Sequence, residues 1–290
     1  MSRIYEALRQ SELERGATGT LLDPDTFPAP PITRETQEAE QSPARNALAW
    51  NEIGSFEPIL RPENRLVALT DDNSLGAEKF RLLRARLRHL QDQQHIKKIV
   101  ITSAVPDEGK TVVSMNLAIS LAKHTTQKVL LLEGDLRKPI LAERLGMPDF
   151  PGLEDWFRST EPITKFIYQV KGLQLGILPA GAPSKNPLSI LQSPRFLELY
   201  QLLSSRFDWV LVDAPPLLPM ADVNFWSRQA DGLLLVLREG KASKKILEKG
   251  LESLDNPKVI GVVLNDAYSI EHGHYKRYYT TESKPDKATA

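Results

Sequence analysis

Ala104-Val105-Pro106-Asp107-Glu108-Gly109-Lys110-Thr111 joins a short β-branched apolar run, Ile99 to Ser103, to an apolar helical pattern that begins at Val112. A strand feeding a Gly-Lys-Thr turn into a helix start aims backbone N–H groups and the positive end of the helix dipole at an anion. Lys110 then reaches the outer phosphates, and the Thr111 hydroxyl can ligate Mg²⁺. The spacing is that of a Walker A loop with one departure. Its first position is Ala104 in place of glycine, so the fit requires Ala104 to keep a negative φ. Gly-Lys-Thr alone also occurs as an ordinary turn with a surface lysine. The strand before it, the helix after it and two acid-terminated apolar strands downstream favour nucleotide binding, with nucleotide contacts assigned to Ala104, Pro106, Asp107, Glu108, Gly109, Lys110, Thr111 and Val112.

The 290 residues are 41% hydrophobic, enough for one sizeable core with a tail at each end. Lys plus Arg equals Asp plus Glu at 37 each. No global basic field exists to draw the chain onto nucleic acid, so no nucleic-acid partner is expected. There is no cysteine, hence no disulfide framework and no thiolate metal site, which fits a reducing cytosol. Apolar runs such as Leu233 to Leu237 fall short of the ~20 residues of a membrane helix. The expectation is a cytoplasmic protein with no direct membrane span, held at the inner membrane face, if at all, by a partner.

Along the chain, residues 1–15 carry Ile4, Ala7, Leu8 and Ser11 on one stripe of a short amphipathic helix, either a frayed terminus or a docking element. Residues 16–64 are polar and proline-rich and read as a flexible linker. From Asn73 to Gln91 a helical stripe of Phe80, Leu83, Leu87 and Leu90 appears, with Glu78, Arg81 and Arg84 sharing a face. On spacing alone these three are solvated i,i+3 pairs. From Lys97 strands and helices alternate as far as Leu264. The expected fold is therefore α/β of the P-loop NTPase type, a mainly parallel sheet covered by helices on both faces over residues 65–265. Ligands bind beyond the C-terminal ends of such strands.

Two strands deliver acids to that edge. Asp213, followed by Ala214-Pro215-Pro216, has the position of a Walker B carboxylate for Mg²⁺. Glu133 and Asp135 flank Gly134, so in extended chain both would project towards Lys110 and Thr111. One would hold metal and the other accept a proton. Mg²⁺ is assigned to Thr111, Asp135 and Asp213, and catalysis to Lys110, Glu133, Asp135 and Arg137, with Arg137 contacting phosphate or pairing with an acid. Residues 266–290 form a tail without hydrophobic period. It holds Tyr268, Tyr275, Tyr278 and Tyr279, four of the seven tyrosines, beside Lys276 and Arg277. They are candidate acceptor hydroxyls or partner-binding aromatics.

Together these stretches resemble the bacterial tyrosine kinases of exopolysaccharide and capsule assembly, in the form whose cytoplasmic kinase is a separate chain. The resemblance rests on the 104–111 loop followed by Asn116-Leu117-Ala118, on Glu133 to Arg137, on Asp213 to Pro216 and on the tyrosine cluster. Glu78, Arg81 and Arg84 also match its Glu-x-x-Arg-x-x-Arg motif, which implies a ring of subunits. Met1 to Leu8 is similar to the start of the exosortase-associated autokinase subgroup, and Gly181 to Leu191 to a further family segment. The resemblance implies ATP- and Mg²⁺-dependent autophosphorylation of one subunit's tail by its neighbour, a membrane-embedded chain-length or activator protein as partner, and an opposing tyrosine phosphatase. Cycles of modification would tune polymer export. Glu133 stands where the family usually has aspartate, and Asp107 where glycine is commoner. These favour one alternative, an ATP-binding assembly module with weak or no kinase activity. Another is a positioning ATPase of the MinD/ParA kind, but Val105 and Pro106 leave the loop without that class's signature lysine.

Overall fold

The computed structural model of the protein describes residues 50–266 apart from 124, 125, 148, 219, 220 and 256. The chain divides into residues 1–42 and residues 43–290, and the second unit contains every described residue. The expected helix at 1–15 and the tyrosines Tyr268, Tyr275, Tyr278 and Tyr279 lie outside the described residues.

Eight strands form one sheet: β1 (Gly54–Phe56), β2 (Lys98–Ser103), β3 (Val129–Glu133), β4 (Tyr168–Val170), β5 (Leu175–Leu178), β6 (Trp209–Asp213), β7 (Gly232–Arg238) and β8 (Val259–Asn265). Their order is β1-β4-β5-β3-β6-β2-β7-β8. Every pairing is parallel except that of β4 with β5. Side chains alternate across the sheet as the pleat requires. Ile99, Ile101, Val129, Leu131, Trp209 and Leu211 pack on one face, and Val100, Leu130, Leu132, Val210 and Val212 on the other.

The first face is covered by α1 (Val67–Thr70), α2 (Leu75–Gln94), α3 (Lys110–Ala122) and α4 (Leu141–Leu145). The second is covered by α5 (Leu153–Arg158), α6 (Pro187–Leu191), α7 (Pro194–Arg206), α8 (Asp222–Gln229) and α9 (Lys244–Glu252). With helices on both faces, β2, β3, β5 and β6 are buried almost throughout, which is why they read as unbroken apolar runs. Central α3 is buried nearly all round, with Asn116 in its interior. Asn116 meets its hydrogen-bonding demand by donating to the Arg65 and Val112 carbonyls and accepting from the Ala68 N–H, which fixes α1 on α3.

The expected linker ran to residue 64, but the folded unit begins earlier. Trp50–Glu52 is a 3₁₀ turn, and β1 pairs with β4 as the outermost strand. Its three residues are too few for a period to show, and Trp50 packs edge-on against Phe207, 5.6 Å between ring centres. The helix expected from 73 to 91 runs from 75 to 94 and starts at Ser74, whose hydroxyl accepts from the Ala77 N–H.

Candidate active site

The phosphate-binding loop leaves β2 in the middle of the sheet, between β6 and β7. Two residues of the loop have positive φ, Asp107 at 64° and Gly109 at 88°, and Ala104 does not, as the fit required. Aspartate is among the few residues that accept this region at modest cost. Its exposed carboxylate is the loop's only acid open to solvent, because Glu108 is turned inward. The buried Glu108 carboxylate accepts from the Val105 N–H at 2.9 Å and from the Arg238 N–H at 3.3 Å. Of the residues assigned to nucleotide contact, Glu108 can therefore offer only its backbone. Asp107→Asn, which tolerates the same φ and removes the charge, is expected to tighten ATP binding about two- to fivefold, less at high salt; titration with a fluorescent nucleotide at two ionic strengths checks it.

Lys110 opens α3, and its Nζ stands 3.7 Å from Asp135 Oδ2 with both side chains largely shielded from water. Asp213, at the end of β6, is aligned with Ile101 of β2 and accepts from the Ser114 hydroxyl at 3.1 Å. Burial pushes the Asp213 carboxyl up, opposed by the nearby Lys110 charge. The Thr111 hydroxyl is buried beside it and makes no hydrogen bond of normal geometry. An orphaned hydroxyl next to a buried carboxylate at a helix start fits an Mg²⁺ brought in with nucleotide phosphates. Lys110, Thr111, Asp135 and Asp213 are thus brought together as the sequence suggested.

Glu133 and Arg137 are not. Glu133 aligns with Asp213 in the sheet, but its carboxylate is taken up by backbone donors of other segments. Oε1 accepts from the Ile140 and Leu141 N–H groups at 2.6 Å each, and Oε2 from the Ala180 N–H at 3.0 Å. The expectation that both acids flanking Gly134 face the phosphates is corrected, because these three backbone donors hold the Glu133 carboxylate. β3 ends at Glu133, the Gly134 N–H bonds the Asp213 carbonyl, and the Gly134 carbonyl accepts from Trp226 Nε1. Gly134 itself is required, since a Cβ there would lie 2.6 Å from Val212 Cγ1. Burial lifts the Glu133 carboxyl to about 7, against the pull of its three backbone donors. Arg137 pairs with an acid, donating to Asp222 from Nε at 2.7 Å and from its second nitrogen at 3.3 Å.

Helix α8 supplies both Asp222 and Trp226, and so shapes the second acidic loop. It went unread in the sequence, although the buried Val223 and Trp226 lie three apart and gave a signal. In α2, Arg81 Nε bonds Glu78 Oε2 at 2.8 Å, and Arg84 donates to the Ser120 carbonyl near the end of α3. Within a single chain these residues have partners of their own.

A mainly parallel sheet, a Lys110/Thr111 loop at its centre and acids at the ends of β3 and β6 define a P-loop protein of the NTPase fold, built to bind nucleotide. The chain belongs to the family of bacterial tyrosine-protein kinases. It is 30% identical over 225 residues, 77% of this chain and 94% of the relative, to tyrosine-protein kinase YwqD of Bacillus subtilis. It is 31% identical over 224 residues to the succinoglycan biosynthesis transport protein ExoP of Rhizobium meliloti, but covers only 28% of that protein's length. The kinase domain of the Escherichia coli tyrosine kinase ETK superimposes with a TM-score of 0.64 at 25% identity, covering 78% of this chain and 87% of that one. No family model matches the chain. No helix among the described residues is long and apolar enough to cross a membrane.

Proposed function

We propose that the chain transfers the γ-phosphate of ATP to tyrosines of its own C-terminal tail, Tyr268, Tyr275, Tyr278 and Tyr279, in a neighbouring subunit. The observation that carries this reading is the meeting of Lys110 with Asp135 beside the buried Asp213 and the orphaned Thr111 hydroxyl. Bound at Thr111, Asp135 and Asp213, Mg²⁺ would neutralise charge on the phosphates. Lys110 holds the outer phosphates. The tyrosyl oxygen forms the new P–O bond as the bond to the bridging oxygen of ADP breaks, and Asp135 accepts the phenol proton. Glu133 and Arg137 act from outside this set, by holding the loop that carries Asp135.

Kinship with a protein named for succinoglycan biosynthesis transport supports a role in exopolysaccharide polymerisation or export. In that role the chain works at the inner membrane face through a membrane-embedded activator, is reset by a tyrosine phosphatase, and assembles as a ring through Glu78, Arg81 and Arg84. The opening eight residues support placement in the exosortase-associated subgroup. Each phosphotyrosine adds about −1.5 to −2 charge, so a modified tail is repelled by the acids and phosphates of a neighbour's site. Intact-mass analysis of phosphatase-treated protein, before and after ATP and Mg²⁺ are returned with a candidate activator's cytoplasmic segment, tests the reading. Phosphate-sized steps that map to the four tyrosines support it. ATP binding without such steps would support the assembly-module alternative.

A further inference from the structure

The recognised phosphate-binding and acidic motifs end at Pro216, yet the phosphate loop is also held from the far end of the domain. Asn265, the last residue of β8, donates from Nδ2 to the Glu108 carbonyl at 2.9 Å. It lies so close that a Cβ at Gly109 would stand 2.1 Å from that nitrogen. Arg238, the last residue of β7, holds the same turn through its N–H to the Glu108 carboxylate and pairs through its guanidinium with Asp266. Two strands that carry no phosphate-binding motif therefore fix the crest of the loop.

We infer that Asn265 is a positioning residue for nucleotide binding. A trans peptide is planar, and its C=O and N–H point in opposite directions. Holding the Glu108 carbonyl on Asn265 turns the Gly109 N–H away from β8. With Gly109 at positive φ, the N–H groups that follow at Lys110 and Thr111 open the helix start where an anion is bound. Without the amide this peptide can rotate, and a carbonyl oxygen facing a polyphosphate repels it. Asn265 thus acts through Glu108 and Gly109 and need touch neither ATP nor the acceptor tyrosine.

The inference rests on nucleotide binding at this loop, and the test separates the two. Dissociation constants of a fluorescent ADP are measured for wild type, Asn265→Ala, Asn265→Asp and Lys110→Ala, with melting curves in the absence of nucleotide. Asn265→Ala is expected to weaken ADP about five- to tenfold, the worth of one hydrogen bond, and to raise KM for ATP by a larger factor than it lowers kcat. The nucleotide-free melting temperature should stay within about 3 °C of wild type. Asn265→Asp, of equal size but unable to donate, should lose at least as much affinity. Wild-type affinity in either Asn265 variant, or affinity lost only in step with nucleotide-free stability, overturns the inference. Unchanged affinity in Lys110→Ala would instead overturn the nucleotide site itself.

Discussion

Lys110→Ala is expected to abolish tail phosphorylation, lowering the transfer rate by about a thousandfold or more, and to weaken nucleotide binding by at least tenfold. Lys110 is the cation nearest both acids of the site. Its Nζ stands 3.7 Å from Asp135, and its charge lowers the pKa of the fully buried Asp213. Removing it takes away a phosphate ligand and the cation that pairs with Asp135, leaving Mg²⁺ alone to offset the two carboxylates against the polyphosphate. The second effect separates this lysine from a surface one, whose loss costs little. Intact mass after incubation with ATP, together with a nucleotide titration and a melting curve, distinguishes loss of site from loss of fold. Wild-type levels of phosphotyrosine in the variant would mean that the 104–111 loop is not the active site.

The second large effect falls on stability. Glu133→Ala strands the buried N–H groups of Leu141 and Ala180, where an unsatisfied backbone donor costs about 1–3 kcal/mol, and leaves that of the partly exposed Ile140 to water. Removal of the buried charge offsets part of this, so the expected net loss is about 3 kcal/mol, read as a lower urea midpoint at unchanged m-value. The same side chain sets a pH dependence. Its folded pKa, about 7, lies above the ordinary carboxylate value of 4.5, so between those values the folded protein binds more protons than the unfolded chain. Its contribution is therefore complete below about pH 4.5 and is lost as pH rises through about 7. Asp213, raised for the same reason, adds in the same sense. Wild type should lose stability between pH 5 and pH 8 relative to Glu133→Gln. Parallel curves for the two would remove Glu133 as the source.

The central strands and the loop were legible in the sequence because a parallel sheet buried on both faces demands long apolar runs, and because Gly-Lys-Thr has a fixed place at a helix start. The edge was not legible. β1 and β4 are three residues each, and a pairing across more than a hundred residues of chain leaves no local trace. At the site, Lys110, Thr111, Asp135 and Asp213 lie where strand and helix ends put them. Glu133 was misread because spacing fixes where a side chain leaves the backbone, whereas the donors it finds at residues 140, 141 and 180 come from elsewhere in the fold. Asp222, Trp226 and Asn265 went unread for the same reason. Each acts across a gap in sequence, on a loop whose own residues give no sign of needing support.

The sheet also ranks the domain by how easily each part comes undone. β2 has a partner on either side, and so do β3 and β6, so the strands that carry Lys110, Asp135 and Asp213 open only with the whole core. β1 is bound to β4 alone, over three residues. Peeling it away uncovers Phe56 and, with the turn before it, Trp50 and Ile53, but leaves the loop and its acids in place, so fraying begins at the edge farthest in strand order from the phosphates. The chain N-terminal to the sheet can then be pulled, cleaved or exchanged for another sequence with the catalytic edge still folded.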